Sequence, residues 1–94
     1  MGPMISGKLD SMDPHAVAEL IRAVLPGADV VVESQDGTHF AARVIAREFG
    51  GRRALARHQL IYRTLGERMG REIHALSIEA LTPEEWAERR PAGA

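Results

Sequence analysis

The sequence predicts an α+β domain of two layers, with helices on one face of a three-stranded mixed sheet. Three observations predict it. Two short runs, residues 28–34 and 38–46, are separated only by Gln35-Asp36-Gly37, a turn signal that joins strands into a hairpin. The longest stretch of helical spacing, residues 53–69, follows the break at Gly50-Gly51 and leads into a third apolar run at 72–78. The resulting order is helix, strand, strand, helix, strand, helix, which suits helices packed on one small sheet.

Each element has its own local reason. Asp13 followed by Pro14 places a capping carboxylate before a proline at the first helical position, and Val17, Leu20, Ile21 and Val24 then recur at helical spacing until Pro26-Gly27. The run ADVVVES (28–34) is β-branched and short. In THFAARVIA (38–46), Phe40, Ala42, Val44 and Ala46 alternate against Thr38 and Arg43, so one face is apolar. Ala54, His58, Ile61, Leu65 and Met69 form the predicted stripe of the long helix, and Gly70 is its expected stop. EIHALSI (72–78) carries apolar residues on both faces, as expected of a strand inside a sheet or between layers. Thr82-Pro83-Glu84-Glu85 is a capping box that opens a last helix containing Trp86. Residues 1–11 are expected to be a disordered leader or cloning remnant, residues 12–90 the domain, and residues 91–94 a disordered tail.

Composition removes several function classes. The 94 residues carry a net charge of −1, no cysteine, and only four aromatics, Phe40, Phe49, Tyr62 and Trp86. Without cysteine the chain has no thiolate nucleophile and no sulfur ligand, so anything thiolate-bound needs sulfur from a partner. Few aromatics leave no platform on which bases could stack. No apolar run reaches the ~20 residues that span a bilayer. The opening MGPMISGKLDS lacks a basic-then-apolar signal, so the expected location is cytoplasmic and no membrane partner is expected. The near-neutral charge hides a local bias: between Arg47 and Arg71 lie seven arginines against two acids.

The chemistry-bearing candidates are few. His39 and His74 open predicted strands beside turns, where strand ends converge, and so could be neighbours. His58 falls on the apolar stripe of the long helix, where packing is the ordinary role, and His15 lies in the first turn of the first helix. No HxxxH or HExxH spacing occurs, so a self-contained zinc site is not expected. Ser34, Thr38 and Ser77 lack a triad or elbow context, and the expected function is non-enzymatic. Arg52, Arg53 and Arg57 could meet an acidic protein surface or nucleic-acid phosphates; charge alone does not separate these.

Taken together, five motifs resemble the BolA family: His39-Phe40, Phe49-Gly50-Gly51, Arg57-His58, Ile73-His74-Ala75 and Thr82-Pro83-Glu84-Glu85-Trp86, in that order. The resemblance spans about residues 13–90 and implies a topology similar to the second type of KH module. It also implies a monothiol glutaredoxin with glutathione as partner, and a 2Fe-2S cluster shared with that partner and absent from the chain alone. The family's ligand at the strand start maps onto His74. Glutaredoxin and glutathione would supply thiolates and this chain imidazole nitrogen, a mixed set that tends to raise a cluster's potential. Bacterial members are also described as morphology- or stress-linked transcriptional regulators, so DNA bound by the basic region 50–71 is the alternative. Alone, the chain is expected to be a monomer or weak homodimer.

One position departs from the family pattern. Relatives often keep a cysteine or histidine in the loop between the first two strands, and this chain has Asp36 there, a poor ligand for a soft iron–sulfide centre. Three arrangements remain open. His39 takes the second-ligand role, His74 binds alone while the partner completes the set, or the chain docks glutaredoxin without a stable bridge. The short SQDG loop is similar to that of the short-loop bacterial subgroup.

Overall fold

A computed structural model describes residues 12–89; the expected leader 1–11 and tail 91–94 lie outside the described residues. Helix α1 (Pro14–Val24) starts where the sequence places it: Asp13 accepts a hydrogen bond from the His15 N–H, and Pro14 occupies the first turn. Strands β1 (Asp29–Glu33) and β2 (His39–Ile45) form the hairpin, antiparallel from Asp29 opposite Ile45 to Glu33 opposite Ala41. Helix α2 (Ala54–Leu65) carries the chain back across the sheet, so that β3 (Ala75–Leu81) pairs parallel to β2, His39 opposite Ala75 through Ile45 opposite Leu81. Helix α3 (Pro83–Arg89) comes directly after β3.

The sheet order β1-β2-β3 makes β2 the central strand. Alternation along it divides the molecule. Phe40, Ala42 and Val44 face inward and meet Val17, Ala18 and Ile21 of α1 and Ile61 and Leu65 of α2, with Phe49 and Ile73 closing the ends. The outer face is lined by Val31, Glu33, Ala41, Arg43, Ser77 and Glu79. Burial of this aliphatic core is the main stabilising force, at roughly 25 cal/mol per Å² of apolar surface removed from water.

Three expectations need correcting. The long helix ends at Leu65 rather than near Met69, because Gly66 takes φ 55° and ψ −127°, which breaks the helix although the apolar spacing continues. A single 3-10 turn, Gly66–Arg68, comes next, and it still delivers Met69 to the edge of the core. The inward stripe of α2 is Arg57, Ile61 and Leu65; His58 is only half-buried. The third strand begins three residues later than expected and lies at an edge of the sheet. Ile73 is instead pinned in a local turn, donating to Arg68 O at 2.9 Å and accepting from Gly70 N at 2.7 Å. The capping box at α3 forms as predicted: Glu85 N donates to Thr82 Oγ1, and Thr82 N donates to Glu85 Oε1.

Candidate functional site

The site is built by the hairpin turn. Gly37 takes φ 79°, which lets the chain reverse. Asp36 organises the residues around it. Its Oδ1 accepts from Thr38 N at 3.0 Å, His39 N at 2.9 Å and the Ser34 hydroxyl at 3.3 Å. Its Oδ2 lies 2.7 Å from Nδ1 of His39. The backbone N–H of His39, then that of Thr38, then the imidazole hold the Asp36 carboxyl far below the usual carboxylate range.

The same turn carries His74 into place. Thr38 O accepts from both His74 N at 2.7 Å and Ala75 N at 3.3 Å. The residue before His39 therefore anchors the backbone of His74, and the strand register continues from that point. Ile73, fully buried, fixes the other side. The two imidazoles end with ring centroids 5.9 Å apart and planes at 85°. Both side chains are exposed. A shallow depression of about 360 Å³ lies beside His39, lined by Glu33, Ser34, Gln35, Asp36, His39 and Ala41 among others.

This geometry bears on metal chemistry directly. A metal bound by imidazole sits about 2 Å from its nitrogen, so two rings this close can reach one centre between them. Asp36 is occupied by its own turn and by His39. No group of three or more His, Cys, Asp or Glu that could enclose a metal ion occurs among the described residues. The residues thus fit the nitrogen share of a mixed donor set whose sulfur comes from elsewhere, and do not fit a self-contained cage.

The basic candidates separate. Arg52 and Arg53 are exposed at the start of α2, Arg52 donating from Nε to Glu48 O at 3.1 Å. Arg57 is turned inward with 9% exposure, which removes it from the surface cluster the sequence suggested. Its Nη1 and Nη2 donate to Glu85 at 2.7 and 3.1 Å, while Nη1 and Nε also donate to Ala80 O and Arg52 O. His58 is half-buried, and no side-chain hydrogen bond to the hairpin joins it among the described residues. His15 is exposed in the first turn of α1, whose entry is tied to the hairpin turn by Met12 N donating to Gly37 O at 2.9 Å.

Two features escaped sequence reasoning. Asp36 was legible as turn chemistry, and the Asp-x-x-His spacing is the signal that it also holds an imidazole. Arg43, on the outer face, stacks its guanidinium 4.5 Å from the centre of the Trp86 ring. Its Nε is buried without a hydrogen-bond partner among the described residues. Nothing in the spacing of residues 43 and 86 foretells that pairing.

The fold is an αββαβα domain that presents two exposed imidazoles beside its hairpin turn. The family model described as BolA-like protein matches residues 14–85, and the chain belongs to that family. The chain is 34% identical over 84 residues to an uncharacterised protein from the rpoN-murA intergenic region of Acinetobacter guillouiae, covering 88% of this chain and 100% of that one. It is 41% identical over 49 residues to the DNA-binding transcriptional regulator BolA of Vibrio cholerae, covering 52% of this chain and 46% of that protein, under half its length. The solved structure of a BolA protein homologue from Coxiella burnetii is similar to it with a TM-score of 0.67 and 38% identity, over 81% of this chain and 97% of that one.

Proposed function

We propose that this chain is a non-enzymatic, cytoplasmic adaptor that docks a monothiol glutaredoxin carrying glutathione and shares or transfers a 2Fe-2S cluster, in iron–sulfur trafficking or iron and redox regulation. The observation that carries the reading is the exposed His39–His74 pair, 5.9 Å between ring centroids, in a chain that has no cysteine and so no thiolate donor of its own. His74 provides imidazole nitrogen, His39 stands beside it as the available second donor, and the partner's thiolates complete the set. The cluster is cargo; alone, the chain holds none and is a monomer or weak homodimer. Arg52 and Arg53, exposed at the start of α2, offer positive charge to an acidic partner surface.

The test mixes the chain with a monothiol glutaredoxin, glutathione, iron and sulfide, and compares visible absorption and complex size. Wild type should give a coloured heterodimer and His74→Ala should lose both. An unchanged spectrum and unchanged heterodimer for His74→Ala would end the ligand assignment.

A second reading, a DNA-binding regulator, is favoured by the exposed Arg52-Arg53 pair at the start of α2 and by the name of the Vibrio cholerae relative. Binding through several phosphates should collapse as salt rises, whereas a cluster-bridged complex should persist. A binding curve taken at low and high salt separates the two.

A further inference from the structure

We infer that Asp36 is a positioning residue: it fixes the tautomer of His39, so that His39 Nε2 and the His74 imidazole together form a two-nitrogen site for a late-transition-metal centre. The inference rests on the adaptor reading for the identity of the cargo and adds to it which second donor this chain supplies and how.

The chemistry comes from what each atom can do. An ionised carboxylate only accepts hydrogen bonds, and a neutral imidazole carries one N–H. Oδ2 of Asp36 lies 2.7 Å from Nδ1 of His39, so Nδ1 must carry the proton and Nε2 the lone pair. The Thr38 hydroxyl, 3.0 Å from the same nitrogen, can share that proton but can equally turn its own outward. Oδ1 is engaged by three donors, which locks the carboxylate against rotation. Asp36 therefore has no oxygen left to turn toward a metal without abandoning either the turn or His39. A carboxylate behind a metal-binding imidazole orients the ring and raises its basicity.

His74 complements this arrangement. Its backbone is held to Thr38 O, so its Cα is fixed relative to His39, while no hydrogen bond holds its exposed ring among the described residues. One ring is preset and the other is free to turn toward the same centre. Imidazole suits zinc, copper and iron alike, and with two protein donors the remaining positions go to water or to a partner's ligands.

The test uses the full chain alone with Zn²⁺ as probe, read from the ring nitrogens of ¹⁵N-labelled histidine by NMR. In metal-free wild type near neutral pH, neutral His39 should show the Nδ1–H tautomer. Zinc should then move His39 and His74 together and leave His15 and His58 unmoved. Asp36→Asn keeps a side-chain oxygen to accept from Thr38 N and His39 N but removes the charge; it should release the tautomer and weaken zinc binding about 10-fold or more. His39→Ala and His74→Ala should each weaken it at least as much. An Nε2–H tautomer in wild type, a zinc response confined to one histidine, or wild-type affinity in Asp36→Asn would each overturn the inference. Because no glutaredoxin is present, these results stand apart from the adaptor reading: failure to form a bridged complex would refute that reading and leave the zinc data as they are.

Discussion

Replacing Arg57 by methionine should destabilise the fold without touching the histidine site. Arg57 is 9% exposed, and its guanidinium makes two bonds to the Glu85 carboxylate, one to Ala80 O and one to Arg52 O. It thereby ties α2 to the end of β3 and to the capping box of α3. Methionine keeps most of the apolar stem, so the loss is mainly polar. Bonds to charged groups contribute about 1.5–3 kcal/mol and neutral ones about 1, set against the cost of burying a guanidinium, and the net loss should be roughly 2–3 kcal/mol. For a domain this size that lowers Tm by roughly 10–20 °C. Urea and thermal unfolding measure it, and Glu85→Gln supplies the control. In wild type that change should be clearly destabilising, and in Arg57→Met much less so, because the partner is already gone. Equal effects of Glu85→Gln in both backgrounds, or a Tm for Arg57→Met within about 3 °C of wild type, would refute the view that this pair joins α3 to the rest.

Three further outcomes are expected of the same structure. Glu85 titrates at about 2 instead of 4.5, first because of the Arg57 guanidinium and next because of the Thr82 N–H. Its contribution is therefore present above about pH 4.5 and lost as pH falls toward 2, and acid titration of Tm should be steeper for wild type than for Glu85→Gln over that window. Gly66→Ala should cost about 1–3 kcal/mol from backbone conformation alone. Its φ is 55° while nothing lies within 4 Å of an added Cβ, so a packing clash is not the cause, and D-alanine introduced by semisynthesis should restore stability. Phe49→Ala, at a fully buried position, should cost about 3–5 kcal/mol in urea unfolding; a loss under about 1 kcal/mol would contradict its place in the core.

The architecture was largely legible because short-range chemistry dictates it. Asp13-Pro14, Asp36-Gly37 and Thr82 with Glu85 each use a backbone signal that acts within three residues, and all three form. The boundaries that moved depend on longer range. Periodicity carried the helix to Met69 because a spacing pattern does not register that Gly66 leaves helical φ and ψ, and Ile73 reads as strand until its bonds to Arg68 and Gly70 are seen. At the site, the proximity of His39 and His74 was foreseeable from two strand starts at one end of the sheet. The role of Arg57 was not: its spacing from Ile61 and Leu65 puts it on the inner stripe, but the glutamate 28 residues later and the carbonyls of Arg52 and Ala80 are what make an arginine tolerable there.

The most direct measurement uses the bridged complex with glutaredoxin, its cluster reduced, and pulsed EPR on this chain labelled with ¹⁵N-histidine only. Two sets of ¹⁵N couplings are predicted in wild type and a single set in the complex formed with His39→Ala, while His74→Ala should yield no bridged cluster. A cluster that forms without any coupling to this chain's histidines would contradict the account.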